Sequence, residues 1–232
     1  MSRMKNCLAA VAVLLVACGQ PGPSGGSADA EGPAAGERKL DLAGLTIGMD
    51  LSQATSVLRA AGWRVVTGKG YTWEQQVNNE LSLQNVGGRK FDDSMKGVGT
   101  LTAEKGDERL TVDFHSAPAP KLARVSEVRY SAPAPGQTPE RMIAGLAGRY
   151  GAPDRSGAPG FASGATWCVE GPTCAGGRGF GSRTTLLGGQ ASAGGGGLTI
   201  RLVEGTDAFN AWRTELKKAE ATVGGASGRA SY

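Results

Sequence analysis

Two phrases 88 residues apart constrain this chain more than anything else in it. Gly48-Met49-Asp50 opens an amphipathic run that closes on Gly62, and Gly136-Gln137-Thr138 opens another that closes on Gly151. Each phrase has a glycine, a capping residue two positions on, an amphipathic stretch and a terminal glycine. The Asp50 carboxylate can accept from the free amides of a first helical turn. Leu51, Ala54, Val57, Leu58 and Ala61 then share one stripe, which predicts a helix over 51–61. In the second phrase Thr138 caps, Pro139 takes the first helical position and Glu140 meets the positive end of the dipole. Met142, Ile143, Leu146, Ala147 and Tyr150 form the buried face of a helix over 139–150. The doubled phrase reads as a weak internal duplication, although many capped helices share its form.

Between the two helices the pattern turns to strands. Trp63 to Val66 reads as a short strand. Thr72-Trp73-Glu74-Gln75 has capping-box spacing, and Trp73, Val77 and Leu81 follow at helical intervals. These predict a helix over 73–85; a strand pair is the rival, since Leu81 and Leu83 also alternate. Residues 98–104 and 110–114 read as strands joined by a polar hairpin turn containing Gly106. Val125, Val128 and Tyr130 mark a third strand over 124–131, with a change of parity that implies a bulge.

Beyond Gly151 the chain is rich in glycine, which supplies 38 of the 232 residues overall. Residues 165–169 and 198–202 read as strands bracketing a long loop over 175–197. Phe209, Trp212, Leu216 and Ala219 share a face and predict a helix over 208–220, followed by a flexible tail over 223–232. The fold class is therefore α+β: an antiparallel sheet with helices on one face, set out as tandem helix-plus-sheet units over 40–135 and 136–222.

The N-terminus resembles that of bacterial lipoproteins. Arg3 and Lys5 precede an apolar run from Cys7 to Ala17. About 11 residues span only ~17 Å as a helix, against ~30 Å for a hydrocarbon core, so residues 1–17 read as a signal peptide. Ordinary secretion and a retained anchor are the alternatives. Leu15-Val16-Ala17-Cys18 looks like a lipobox, which implies lipidation of Cys18 and attachment to a membrane through that lipid. No retention aspartate follows Cys18, which by the same resemblance implies the periplasmic face of the outer membrane in a Gram-negative cell, and the cell membrane otherwise. Residues 18–39 then form a tether of glycine, proline and alanine. Cleavage removes Arg3 and Lys5 and lowers the formal charge from +4 to +2, which makes no case for nucleic acid.

Cys168 and Cys174 would then lie in an oxidising compartment, flanking the turn sequence Val-Glu-Gly-Pro-Thr. They read as a structural disulfide, with free thiols as the alternative. No metal set or other cofactor site is evident: His115 is the sole histidine and no Cys-x-x-Cys occurs. No catalytic motif and no small-molecule site is recognisable, and the acidic residues near 92–93 and 104–108 read as solvated turns. Trp63, Trp73, Trp167 and Trp212 read mainly as core; Trp73 and Trp167 are the candidate partner contacts, with Trp167 packing on the disulfide.

Leu45-Thr46-Ile47-Gly48-Met49-Asp50 is similar to the opening of small outer-membrane lipoproteins of the BamE/SmpA/OmlA kind, and Tyr150-Gly151-Ala152-Pro153 resembles their glycine-proline helix exit. The related β-lactamase-inhibitor-like fold stacks two helix-plus-sheet units. The resemblance spans about 30 residues and transfers no binding residue. The anchor, the tether and the missing catalytic set point to a lipid-anchored periplasmic protein with a non-catalytic role, binding a protein partner or serving envelope assembly. The alternatives are an inhibitor of an envelope hydrolase acting through 169–197, or an enzyme with a site joining His115 to carboxylates.

Overall fold

The structure is a computed structural model and describes residues 38–84, 90–132, 138–171, 183–191 and 198–227. The leader, most of the tether, Cys18 and Cys174 lie outside those residues.

The chain begins with α1 (Leu51–Ala60), β1 (Arg64–Gly70), α2 (Trp73–Leu83), β2 (Gly97–Lys105), β3 (Glu108–His115) and β4 (Arg124–Ser131). It continues with α3 (Pro139–Tyr150), β5 (Arg155–Ser156), β6 (Phe161–Cys168), β7 (Thr185–Ala191), β8 (Leu198–Val203) and α4 (Thr206–Ser227). The strands form one antiparallel sheet in the order β1-β2-β3-β4-β8-β7-β6-β5. Each half is thus a helix and four antiparallel strands in chain order, with α2 inserted between β1 and β2 of the first half, and the two meanders join through their last strands. That arrangement matches the doubled phrase: Asp50 caps α1 and Thr138 caps α3. The α+β reading holds.

Capping chemistry sets the helix starts. The Asp50 side chain accepts from the Gln53 amide while Gln53 returns a bond to the Asp50 amide; Thr72 and Gln75 do the same for α2. The helix alternative for 73–85 therefore prevails over the strand pair. The bulge lies where the register slips between Asp113 and Phe114, leaving Ser126 as the extra residue on β4.

One row of side chains crosses the sheet. Leu101, Val112, Val128, Leu202, Leu186 and Trp167 are successive cross-strand partners from β2 to β6, and all are fully buried. Burial of each contributes on the order of 1.5–3 kcal/mol. Helices α1 and α3 cover this face: Ala54, Leu58 and Tyr150 belong to the same core cluster, with Leu146 packed against it. Val77, Leu81 and Leu216 form a separate small cluster that pairs α2 with α4. Among the described residues no helix is long and apolar enough to cross a membrane.

Several expectations need correction. The long loop over 175–197 contains a strand, β7, next to β8. Its glycines hide it from a pattern search, and Gly189 is required by packing against the β6 backbone. A Cβ on Gly188 would lie 2.3 Å from Leu146 Cδ1, and one on Gly189 would lie 2.1 Å from the Ser163 carbonyl oxygen. The last helix extends to Ser227, so 223–227 is not a tail. The strand expected at 63–66 runs from Arg64 to Gly70, and the one at 165–169 runs from Phe161 to Cys168. The units at 40–135 and 136–222 share one sheet and one core; the boundary between them falls outside the described residues.

Candidate functional site

Strand alternation sends the residues between the apolar ones to the opposite face. Over β1 to β4 and β8 that face is polar and partly exposed. Glu104 accepts from Arg64 on β1 and from Arg109 on β3, the latter at 3.2 Å. On β3, Asp113 accepts from Arg129 at 2.6 Å. On β4, Glu127 accepts from Arg201 of β8 at 2.8 Å and lies 3.6 Å from Arg129 Nε.

This second set solves a local problem. Arg129 and Arg201 are direct cross-strand partners, and like charges placed opposite each other are destabilising. Asp113 and Glu127 neutralise them. Burial nevertheless pushes the Asp113 carboxyl above its ordinary value, against the downward pull of Arg129.

The polar rows end on an aromatic ledge. His115 follows Asp113 on the same face and stacks on Trp212 of α4, with ring centroids 4.1 Å apart and planes at 10°. Phe209 lies 5.9 Å from Trp212 and is 44% exposed. His115 Nε2 pairs with Glu204, and Trp212 Nε1 donates to the Ser116 carbonyl at 3.1 Å. The sole histidine is thus clamped between a ring and a carboxylate, which gives it a role in seating α4.

No family model, curated protein or solved structure matches this chain. The site's chemistry must therefore be read from its own residues. The open face offers fixed, paired charges and aromatic area over several strands. Among the described residues no group of three or more His, Cys, Asp or Glu side chains could hold a metal ion.

The residues singled out from sequence separate widely. Trp73 is half-buried at the start of α2 and walls three adjoining clefts. Trp167 cannot be a partner contact in this fold. It is fully buried, and its Nε1 donates to the Gly151 carbonyl at 2.8 Å, tying β6 to the end of α3. The Cys168 side chain points to the opposite face of β6, and the rest of the disulfide on which Trp167 was expected to pack lies outside the described residues. Cys168 is disulfide-bonded and buried, with Thr185 Oγ1 3.8 Å from its sulfur. Cys18 and Cys174 lie outside the described residues.

The turn near 92–93 is not simply solvated. Asn79 exchanges two bonds with the Asp92 backbone, and Gln75 Nε2 donates to the Asp92 carboxylate at 2.9 Å. Ser94 hydrogen bonds first, then Gln75, lower the Asp92 pKa to about 2.

Sequence reasoning missed Arg129, Arg201 and Glu127 as a group. A signal existed: Glu127 and Arg129 share one parity on a strand whose other parity is apolar. Their meeting with Arg201 depends on the β4–β8 register, which no local pattern carries.

Proposed function

We propose that this chain is a lipid-anchored envelope protein whose uncovered sheet face binds a protein partner without catalysis. The observation that carries this reading is the open face of β1 to β4 and β8. Its arginines and carboxylates are already paired, and it ends on the exposed Phe209 beside Trp212. A broad, pre-ordered polar surface with an aromatic edge suits a protein surface better than a small molecule. The lipobox-like Leu15-Val16-Ala17-Cys18 supports the anchor, and the sequence after it supports the periplasmic face of an outer membrane.

Two measurements test the two parts. Cys18→Ala should abolish lipid labelling and release the protein from membranes; retained labelling would remove the anchor. A photo-crosslinking residue at Thr111, on the open face, should capture a discrete envelope protein in cells. The same group at Gln53, on the exposed side of α1, should not. Identical products at both positions, or none at Thr111, would overturn the binding face.

A further inference from the structure

A second surface begins where the polar sheet face ends, at Trp212. Three clefts adjoin one another around Trp73. The first, about 280 Å³, is walled by Tyr71, Trp73, Val98, Phe114 and Pro118. The second lies between residues 116–118 and α4 beside Trp212 and has about 450 Å³. The third, about 290 Å³, runs between α2 and α4 past Val77 and Ala219. Phe91 sits edge-on to Tyr71 and is 51% exposed, which extends the apolar rim.

The charge of this groove is one-sided. Glu74 and Glu215 are the charged residues lining the three clefts, and no lysine, arginine or histidine among the described residues does so. Glu215 is paired with Lys218 at 2.7 Å. Glu74 is exposed, walls two of the three clefts and has no ion-pair or hydrogen-bond partner among the described residues. An aromatic wall beside a free carboxylate attracts a cation both through the ring face and through the charge. Successive apolar depressions accept side chains spaced along one face of a helix.

The geometry points to a docking groove for a cationic amphipathic segment of a protein partner, with apolar side chains in the clefts and a lysine or arginine between Trp73 and Glu74. The acidic lining disfavours an anionic lipid surface. The whole chain is net positive, so a basic segment is not drawn to it by overall charge.

The test titrates the purified full-length mature protein with a leucine/lysine peptide of about 14 residues, roughly four helical turns. The controls are the matching leucine/glutamate peptide and anionic phospholipid vesicles. The leucine/lysine peptide should bind by calorimetry and the leucine/glutamate peptide should not. Trp73→Ala should weaken binding by at least about tenfold and Glu74→Gln by about threefold. Because Trp73 also supports the α2–α4 cluster, the exposed Glu74→Lys serves as a second variant: it should abolish binding while leaving the circular dichroism spectrum unchanged. Equal binding of both peptides, binding indifferent to Glu74→Lys, no binding at all, or Trp73-dependent capture of vesicles in place of the peptide would each overturn the proposal. Arg129→Glu should leave peptide binding unchanged, which separates this groove from the sheet-face reading.

Discussion

Val128 and Leu202 stand directly opposite each other on the β4–β8 ladder, both fully buried. Among the described strands this ladder alone joins the two meanders. The pair therefore welds two halves that each present an incomplete apolar face. Leu202→Ala should cost about 2–5 kcal/mol, and both halves should still unfold in one transition. Urea unfolding followed separately by tryptophan fluorescence and circular dichroism checks this; two separated transitions would show that the halves fold alone.

Gly188 lies under the tip of the Leu146 side chain of α3. Gly188→Ala should destabilise by about 0.5–1.5 kcal/mol, the cost of turning the Leu146 side chain off its rotamer to make room for the methyl. Leu146→Ala in the same chain should recover part of that loss. A double-mutant cycle with no coupling between the two positions would refute the contact.

Burial, reinforced by the Asp41 charge, pushes the Tyr150 phenol up from 10.0 to about 12. The folded value lies above the unfolded one, so this stabilisation is present below pH 10 and is lost as the pH rises through about 12. Its upper bound is on the order of 3 kcal/mol. Tyr150→Phe loses the hydrogen bond to the Asp41 carbonyl and should be less stable at neutral pH, but its stability, followed by urea unfolding, should fall less between pH 10 and 12 than that of the parent chain.

For Asp92 the sign is opposite. Its folded value of about 2 lies below the ordinary 3.8, so docking of residues 90–96 on α2 is favoured above that range. The contribution disappears as the pH falls toward 2. The protection factors of the Ser94 and Lys96 amides against hydrogen exchange, taken relative to the intrinsic rate at each pH, should fall over that interval. Gln75→Ala should produce the same loss of protection at neutral pH, since Gln75 Oε1 accepts from the Lys96 amide at 3.0 Å.

Glu127 holds two arginines that face each other. Glu127→Gln should destabilise by about 1 kcal/mol at low salt and by somewhat less at high salt, because ions screen the solvent-accessible part of these pairs. Adding Arg201→Leu should restore most of the loss by removing the like-charge pair.

Local chemistry made the helices and most strands legible. Asp50, Thr72 and Thr138 each offer a side-chain acceptor to the first helical turn, and that information sits within four residues. The alternation of Leu110, Val112 and Phe114 likewise contains its own answer. Strand β7 carried no such signal, because Gly188 and Gly189 are small in response to Leu146 and the β6 backbone, far away in sequence.

The sequence by itself determined the helix starts, the strands of the first half, the bulge near Ser126 and the doubled capped helix, because caps and periodicity act over a few residues. Only the tertiary structure decided that the halves share one sheet and that Trp167 is core while Trp73 borders open clefts. It also decided that Arg129, Arg201, Asp113 and Glu127 form one charged row. Those outcomes depend on strand register and on which face the helices cover, and both are set by contacts between residues tens of positions apart.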